Sequence, residues 1–262
     1  MLTEHSVEEA ARGAGVSAPV HFLPVTGSTN ADLLRLAAQG APEWTVVVAG
    51  HQEAGRGRLG RSWFSTEGAS LLVSVLLRPS LAPEDAPLLT LLGGLAAAEA
   101  CRAACGVDAR CKWPNDLVVR ERKLGGVLVE AGVRGGSVQH VVVGLGVNVA
   151  QRPDDFPRDL RPLATSVAME GGRADPVSLL RAFLAELGAR YRADGANLRA
   201  EVLPAYRAVC ATVDREVRAL TTSGGTVEGR AVGVGDQGEL LVATAAGVAA
   251  VRFGEVAHVE AP

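Results

Sequence analysis

The hydrophobic positions of this chain follow two patterns, short apolar runs and a longer helical period. The short runs predict the strands. Such runs begin around Val20 and recur at residues 44–50, 69–78, 116–120, 125–130 and 138–149. Short apolar runs bounded by turn residues favour buried strands. The last three runs are joined by a charged turn and by a glycine-rich turn, which predicts an antiparallel meander.

The longer period predicts helices. A helix opens at residues 28–30 and stops at Gly40, and Thr29 and Asp32 have the spacing of a capping box. The alanine- and leucine-rich stretch predicts a long helix over 84–104 that packs on the sheet. Two further helices are expected around 176–193 and 197–208. The residues before Val20 are too few to predict a separate N-terminal domain.

After Cys210 the pattern changes to short alternating runs separated by glycine-rich turns. The runs cover residues 216–220, 226–234, 239–243, 248–253 and 256–259. This pattern predicts a small all-β barrel of hairpins. The expected domains are therefore 1–210 and 211–262, and the predicted fold class is α+β, a mixed or antiparallel sheet with packed helices followed by the small barrel.

Composition narrows the function classes. The chain has 262 residues, 48% of them hydrophobic, and a formal net charge of −3, which is typical of a globular protein without general affinity for nucleic acid or anionic membranes. The cysteines at 101, 105, 111 and 210 lack paired metal-ligand spacing, so packing thiols and no metal ligands are predicted. No signal peptide or membrane-length apolar run is evident, and we expect a cytoplasmic protein without membrane partners.

The stretch GRGRLGRSW, residues 55–63, concentrates three arginines and three glycines in an otherwise slightly acidic chain. Guanidinium groups form paired hydrogen bonds with phosphate oxygens, and glycines let backbone N–H groups approach the same anion. The stretch lacks the GK[ST] ending of a Walker A motif, so a P-loop NTPase is not predicted. A solvated surface loop and an RNA-binding segment remain alternatives.

Other motifs accompany this arginine loop: STN (28–30), KWPND (112–116), RKLGG (122–126) and GLGVN (144–148). In this order and at these spacings they resemble the biotin protein ligases, from about residue 20 onward. The resemblance implies a catalytic mixed sheet followed by an SH3-like barrel. It implies an enzyme that uses ATP, Mg²⁺ and biotin to form biotinyl-5′-AMP and then biotinylates a lysine of a biotin carboxyl carrier domain. No operator-binding domain is expected.

The resemblance also assigns roles to residues. Catalytic roles are implied for Lys112, Asp116, Lys123 and Arg58. Ligand contacts are implied for a larger set on the four motifs and the strand before the arginine loop: Ser28, Thr29, Asn30, Gln52, Gly55, Arg56, Gly57, Arg58, Arg61, Trp63, Asn115, Lys123, Gly125, Gly126 and Asn148. No metal-binding residue is predicted from spacing, and the resemblance makes Asn148 a candidate for a nucleotide or metal contact.

Plain structural roles compete with several of these assignments. Ser28 or Thr29 is expected in either case to cap the helix, and Lys123 alone is typical of a charged hairpin tip. Trp113 is predicted to pack in the core, whereas Trp63 is expected to form a ligand wall. Two other functions stay open, a lipoate or octanoate ligase of the same superfamily and a non-catalytic RNA-binding module that uses the arginine loop.

Overall fold

The helices and strands form one large sheet with its covering helices, followed by a small all-β unit. The computed structural model describes residues 2–192, 194–195, 198–221, 224–252 and 254–259. The helices are α1 (Glu4–Gly13), α2 (Thr29–Ala38), α3 (Ala86–Ala100), α4 (Pro176–Arg190) and α5 (Leu203–Val209). The strands of the large sheet are β1 (Val20–Thr26), β2 (Val46–Gln52), β3 (Ser70–Leu77), β4 (Arg110–Lys112), β5 (Asp116–Val119), β6 (Arg122–Arg134) and β7 (Ser137–Asn148). The strands of the small sheet are β8 (Glu216–Thr221), β9 (Thr226–Val234), β10 (Leu240–Thr244), β11 (Gly247–Val251) and β12 (Gly254–His258).

The large sheet has the strand order β1-β2-β3-β7-β6-β5-β4. β1 and β2 run parallel, and the other neighbouring pairs are antiparallel. The predicted meander is therefore confirmed, because β5, β6 and β7 are consecutive antiparallel neighbours. β3 is buried along its whole length, which explains why its sequence is an apolar run without alternation. The predicted α+β fold class is confirmed.

Helices cover both faces of this sheet. On one face α2 places Leu33 and Ala37 against Val47, Leu76 and Val142. On the other face α3 approaches closely at Gly93, where a Cβ atom would lie 3.1 Å from side chains of both β6 and β7. Each fully buried leucine of such a helix contributes about 1.5–3 kcal/mol to folding. Apolar burial on both faces thus fixes the sheet that carries the site.

The segment Pro83–Cys105, which contains α3, is long and apolar enough to cross a membrane by length and composition alone, with a mean hydropathy of 1.4, whereas no run of that length was expected from the sequence. In the fold 72% of its apolar window is buried. A helix that is hydrophobic on all sides is expected where the sheet and other helices enclose it. Burial in the core therefore accounts for the apolar character of this segment.

The four cysteines pack in the interior. Cys101, Cys105, Cys111 and Cys210 are all buried and carry free thiols, as predicted. Burial raises the pKa of Cys105 to about 11. A thiol with so high a pKa carries little thiolate at neutral pH, so these cysteines serve packing rather than chemistry.

The N-terminal helix was not expected from the sequence. α1 begins after Thr3, whose hydroxyl accepts a hydrogen bond of 3.2 Å from the backbone N–H of Ser6. Its buried face consists of Val7, Ala10 and Ala11. Two of these three side chains are alanine, so the apolar period is weak in the sequence. The capping pair was the signal that could have identified the helix.

Several predicted element limits shift by a few residues. The long helix predicted over 84–104 divides into a 3₁₀ turn at Pro83–Asp85, α3, and a π-helical turn at Cys101–Cys105. The last predicted helix is a π-helical turn, Leu198–Val202, followed by α5. The predicted limits at residues 193, 197 and 253 lie outside the described residues.

The small sheet joins the large one beside β4. Its order is β11-β10-β9-β8-β12, with antiparallel neighbours. Trp113 is 2% exposed, and its backbone N–H donates to Thr212 Oγ1 at 2.9 Å. Its indole N–H donates to the Gly238 carbonyl at 2.8 Å. The predicted core position of Trp113 is thus at the junction of the two sheets, and the domain boundary between residues 210 and 211 stays a prediction.

Trp113→Phe is expected to reduce stability because it leaves the buried Gly238 carbonyl without its donor. Trp63→Phe is the control, since the indole N–H of Trp63 has no hydrogen-bond partner among the described residues. We expect Trp113→Phe to lower the free energy of unfolding by about 1–3 kcal/mol more than Trp63→Phe does. Chemical denaturation of both variants measures the difference, and equal losses would contradict the assigned bond.

Candidate active site

A cavity of about 470 Å³ lies where β6, β7 and the start of α2 meet the small sheet. The residues that the sequence assigned to a site and that line this cavity are Ser28, Thr29, Asn30, Gln52, Arg56, Gly57, Arg58, Arg61, Trp63, Lys112, Asn115, Asp116, Lys123 and Gly126. Further lining residues, which the sequence did not single out, include Ser62, Leu128, Gly144, Gly146 and, from the small sheet, Arg218, Leu220, Val256 and Ala257. Residues of five separate motifs, the arginine loop included, therefore line one space.

The charge of this cavity contrasts with that of the chain. Six of its described lining side chains are arginine or lysine. Asp116 is the one carboxylate in the described lining. The whole chain has a formal net charge of −3. Such a concentration of positive charge in a concave site attracts anions and stabilises charge that develops on them. The cavity is therefore suited to a polyanionic ligand.

One wall of the cavity is neutral and rich in hydrogen-bonding groups. Ser28, Thr29 and Asn30, at the start of α2, are all buried. The hydroxyl of Ser74 lies 2.8 Å from Thr29 Oγ1 and 2.6 Å from Asn30 Oδ1. Buried polar atoms with fixed partners keep a single orientation. This wall can therefore recognise a neutral polar group of defined shape.

The prediction that Ser28 or Thr29 caps α2 with its side chain is wrong. Ser28 occupies the N-cap position but makes no capping hydrogen bond with its side chain. Gln52 supplies the acceptor instead, because its Oε1 accepts from the Thr29 backbone N–H at 2.8 Å and from the Thr29 hydroxyl at 3.0 Å. Asp32, the predicted partner in the capping box, pairs with Arg35 at 2.7 Å. The end of β2 therefore fixes the neutral wall.

Two glycines of β7 make room for this wall and for Trp63. A Cβ atom at Gly144 would lie 2.1 Å from Asn30 Oδ1. A Cβ atom at Gly146 would lie 2.7 Å from Trp63 Cε2. Both distances are too short for non-bonded atoms, so side chains from α2 and the arginine loop occupy the space that a larger residue would need. The GLG motif thus has a steric role and is not a dinucleotide fingerprint.

The arginine loop closes on itself and contacts both sheets. The backbone N–H of Gly57 donates to the Arg61 carbonyl at 2.7 Å, and that of Trp63 donates to the Gly55 carbonyl at 2.9 Å. Arg58 reaches the small sheet, where its Nη1 lies 3.1 Å from the Gly254 carbonyl. Gly55 does not line the cavity, but a Cβ atom there would be 2.6 Å from the Trp63 carbonyl. Glycine at 55 is therefore required for loop closure.

Lys123 is held between a carboxylate and an aromatic ring. Its Nζ lies 2.7 Å from Asp116 Oδ1 and 5.8 Å from the centre of the Trp63 ring. The side chain is 41% exposed, so it remains open to the cavity. Lys123 is thus a fixed cavity cation rather than a free hairpin tip, and Trp63 forms a wall beside it as predicted.

The KWPND turn places its polar residues next to Lys123. Lys112 and Asp116 are register partners across the β4–β5 hairpin. Asn115 donates from Nδ2 to the Val127 carbonyl at 3.1 Å, and its Oδ1 accepts from Arg58 Nη1 at 3.3 Å. The turn therefore links the arginine loop, β6 and the lysine that β6 carries.

Two other predicted ligand contacts lie outside the cavity lining. Asn148 is 4% exposed, and its amide donates to the Thr165 carbonyl at 2.9 Å. Gly125 faces β7, where a Cβ atom would be 2.6 Å from the Gly146 carbonyl. The structure shows packing and hydrogen-bonding roles for both residues within the sheet, and their ligand contacts stay predictions.

Glu130 contacts two of the predicted site residues, and the sequence reasoning assigned it no role. Its Oε2 accepts from Asn30 Nδ2 at 2.8 Å and from Arg56 Nη2 at 3.0 Å. One carboxylate thereby ties the neutral wall to the arginine loop. The signal was the single acidic residue that ends the apolar run 125–130, where a half-buried charge needs a partner.

Comparisons with known proteins agree with this geometry. Residues 22–148 match the biotin/lipoate A/B protein ligase family, and residues 212–259 match the biotin protein ligase C terminal domain. The chain is 36% identical over 264 residues to the biotin--[acetyl-CoA-carboxylase] ligase of Mycobacterium tuberculosis, covering 98% of this chain and 96% of the relative. It is 34% identical over 236 residues to the bifunctional ligase/repressor BirA of Bacillus spizizenii, covering 90% of this chain and 72% of the relative.

Solved structures show the same fold. The biotin protein ligase from Aquifex aeolicus in complex with biotin and ATP is similar with a TM-score of 0.73 and 27% identity, covering 93% of this chain and 99% of that chain. The biotin protein ligase from Leishmania major in complex with biotin gives a TM-score of 0.60 and 25% identity, covering 93% of this chain and 98% of that chain. Both similarities extend over both sheets.

Glu130→Gln is expected to loosen the arginine loop, because the amide keeps the size of the side chain but loses the ion pair with Arg56. We expect faster backbone hydrogen exchange across residues 54–64, measured by mass spectrometry. The control is Glu99→Gln on α3, where Glu99 pairs with Arg102 at 3.2 Å and is 28% exposed, close to the 27% of Glu130. If hydrogen exchange across residues 54–64 is unchanged in Glu130→Gln, the ion pair between Glu130 and Arg56 does not hold the loop.

Proposed function

The chain belongs to the biotin/lipoate A/B protein ligase family, and from this premise we propose that it biotinylates a lysine of a carrier protein. It has the activity of a biotin protein ligase, with biotin and ATP as small-molecule substrates. The finer assignment of the carrier, a biotin carboxyl carrier domain of acetyl-CoA carboxylase, takes its support from the names of two relatives. Absence of DNA binding and a cytoplasmic location stay predictions.

One observation carries the proposal, the presence of a neutral hydrogen-bonding wall and a cationic wall in the same cavity. Biotin has a neutral ureido ring and a carboxylate, and ATP is a polyanion. We assign the ureido ring to Ser28, Thr29, Asn30 and Gln52, which present fixed polar atoms. We assign the triphosphate to Arg56, Arg58 and Arg61, because guanidinium groups bind phosphate oxygens in pairs.

The first step joins two anions. The biotin carboxylate attacks the α-phosphorus of ATP, the bond to the pyrophosphate oxygen breaks, and biotinyl-5′-AMP and pyrophosphate form. In the proposed site Lys123 aligns the carboxylate with the phosphate and offsets their repulsion. Lys112 and Arg58 add positive charge where the leaving pyrophosphate develops negative charge. Asn115, Gly126 and Trp63 complete the walls around the nucleotide.

The second step forms an amide. The carrier amine attacks the acyl carbon of biotinyl-5′-AMP, AMP leaves, and the amine loses one proton. Lysine has an ordinary pKa of about 10.4, so a carboxylate is needed to orient or deprotonate it near neutral pH. Asp116 is the carboxylate that lines the cavity among the described residues, and we assign it this role.

Mg²⁺ is proposed to enter with ATP. Among the described residues no group of three or more histidine, cysteine or acidic side chains is placed to hold a metal ion. Mg²⁺ commonly binds through one or two carboxylates together with substrate phosphates. Asp116 fits that mode, with the phosphates of ATP as the remaining ligands. The ion would add charge neutralisation to that of the arginine loop.

The neutral wall argues against the lipoate or octanoate alternative. A site that holds hydrogen-bonding groups for a polar ring rejects an analogue without those groups, because buried polar atoms are left unpaired. The arginines of the loop face a cavity shared with Lys123, which argues against an RNA-binding module with an open basic surface. Biotin is the substrate that uses both walls.

Lys123→Ala and Arg58→Ala test the adenylation site. Each is expected to reduce biotin-dependent ATP–pyrophosphate exchange on the order of 10²–10³-fold, the usual effect of removing a transition-state charge partner. The control is Arg134→Ala, an exposed arginine at the end of β6 that does not line the cavity. Near-normal rates in both cavity variants would remove these residues from the site.

The same assay tests the substrate. Wild-type protein with ATP and Mg²⁺ is expected to exchange pyrophosphate with biotin and to form biotinyl-5′-AMP without a carrier. Exchange supported by lipoate or octanoate and absent with biotin would refute the proposed function. Transfer of the biotinyl group to an isolated biotin carboxyl carrier domain, followed by mass spectrometry, tests the carrier.

Gly144→Ala tests the neutral wall. The added methyl group overlaps Asn30 Oδ1, so Asn30 must leave the bonds that hold it to Ser74 and Glu130. A lost hydrogen bond costs about 1–3 kcal/mol, so biotin affinity measured by calorimetry is expected to fall on the order of 10-fold or more. The control is Gly233→Ala in β9, where a Cβ atom meets nothing within 4 Å. Equal affinity in both variants would place biotin elsewhere.

A further inference from the structure

The main chain of Lys123 is held by a segment outside the β5–β6 hairpin. β7 ends at Asn148, and residues 163–165 lie parallel to β6 beside Lys123, with Lys123 and Ala164 as bridge partners. The Lys123 N–H donates to the Leu163 carbonyl at 2.7 Å, and its carbonyl accepts from the Thr165 N–H at 2.8 Å. Both backbone groups of the lysine are thus fixed by this segment, residues 163–170, which we name the clamp.

Buried side chains hold the clamp in place. Asn148 donates from Nδ2 to the Thr165 carbonyl at 2.9 Å. The hydroxyl of Thr165 donates to Glu170 Oε1 at 2.6 Å. Arg122, the residue before Lys123, pairs with the same Glu170 oxygen at 2.6 Å. The network therefore reaches the lysine from two sides, through the clamp main chain and through the neighbouring arginine.

Burial makes this network rigid. Thr165 is 0% exposed, and the Glu170 side chain is 6% exposed. A buried carboxylate that loses a hydrogen-bond donor keeps the full cost of its desolvation without the bond that offsets it. The arrangement in which Glu170 binds both Thr165 and Arg122 is therefore strongly preferred over alternatives.

This rigidity matters for chemistry because the reacting groups need close alignment. A displacement of about 1 Å from the reactive geometry can reduce a rate on the order of 10²-fold. The lysine side chain is long, so its ammonium group has a defined position only if its main chain is fixed. Asp116 and Trp63 orient the end of the side chain, and the clamp fixes its base.

The neutral wall does not depend on the clamp. Its bonds join α2 to β2 and β3 and, through Asn30, to Leu128 and Glu130 in the middle of β6, several residues from Lys123. The clamp bonds join the end of β7, the start of β6 and residues 163–170. A change in the clamp should therefore leave recognition of the biotin ring intact.

We propose that Thr165 and Glu170, with Asn148, are positioning residues for Lys123 in the adenylation step. This inference rests on the proposed function, since it assigns the alignment of the biotin carboxylate to Lys123. It gives Asn148 a role through its bond to the Thr165 carbonyl of the clamp.

Thr165→Val tests the proposal, because it removes the hydroxyl and keeps the shape. The matched control is Thr45→Val, where a threonine that is 1% exposed donates its hydroxyl to the Pro42 carbonyl at 2.7 Å, away from the cavity lining. We expect Thr165→Val to lower kcat for pyrophosphate exchange on the order of 10-fold, with the Kd and KM for biotin within about two-fold of wild type. Thr165→Ser keeps the hydroxyl, so its kcat for pyrophosphate exchange should be close to that of wild type.

A second readout does not depend on activity. In Thr165→Val the peptide that contains Lys123 should show faster backbone hydrogen exchange than in wild type and in Thr45→Val. If Thr165→Val fails to fold, Glu170→Gln takes its place, since it keeps the oxygen but removes the charge, and the same loss of kcat at unchanged biotin Kd is expected.

The outcomes separate this proposal from the proposed function. A wild-type protein that supports ATP–pyrophosphate exchange with lipoate and not with biotin would refute the proposed function. Backbone hydrogen exchange of the Lys123 peptide would still test the clamp in that case. Equal loss of kcat in Thr165→Val and Thr45→Val would overturn the positioning role, because both would then reflect stability alone. A parallel loss of biotin affinity would also overturn it.

Discussion

Repulsion among the cations of the cavity is the constraint on which the rest of the site depends. Two like charges 4 Å apart repel by about 4 kcal/mol at an effective dielectric constant of 20. The fold fixes three of the six cations against acceptors: Lys123 against Asp116, Arg56 against Glu130, and Arg58 against the Gly254 carbonyl. Anionic substrates relieve the remaining repulsion. In the proposed site, the same side chains would therefore supply both the binding of the anions and the charge for catalysis.

This constraint explains why the site needs the small sheet. Arg58 is anchored on β12, and Arg218 of β8 lines the same cavity. Trp113 fixes the junction through bonds to Thr212 and Gly238. The turn that follows Trp113 carries Asn115 and Asp116, so the junction and the reacting groups share one short segment. A shift of the small sheet would therefore move the acceptors that hold the cations.

The sequence predicts the strands, the meander and the motifs that form the cavity, because apolar runs and turn residues are local signals. It does not predict which side chains meet. Glu130 bonds Asn30 across 100 residues, and Gly144 leaves space for a side chain on another element. Asn148 illustrates the limit: its residue type and its place in GLGVN do not show that its amide binds the Thr165 carbonyl 17 residues further along the chain. α1 was missed because its buried face is mostly alanine.

Recognition and chemistry have separate supports in this fold. The neutral wall is fixed by bonds among α2, β2 and β3, and Lys123 is fixed by β5 and the clamp. Glu130 connects the neutral wall to the arginine loop, since it contacts Asn30 of the wall and Arg56 of the loop. A ligand that orders Asn30 therefore also acts on the residue that holds Arg56. This carboxylate is therefore a direct contact between the neutral wall and the arginine loop, and a displacement of Asn30 would also disturb the partner of Arg56.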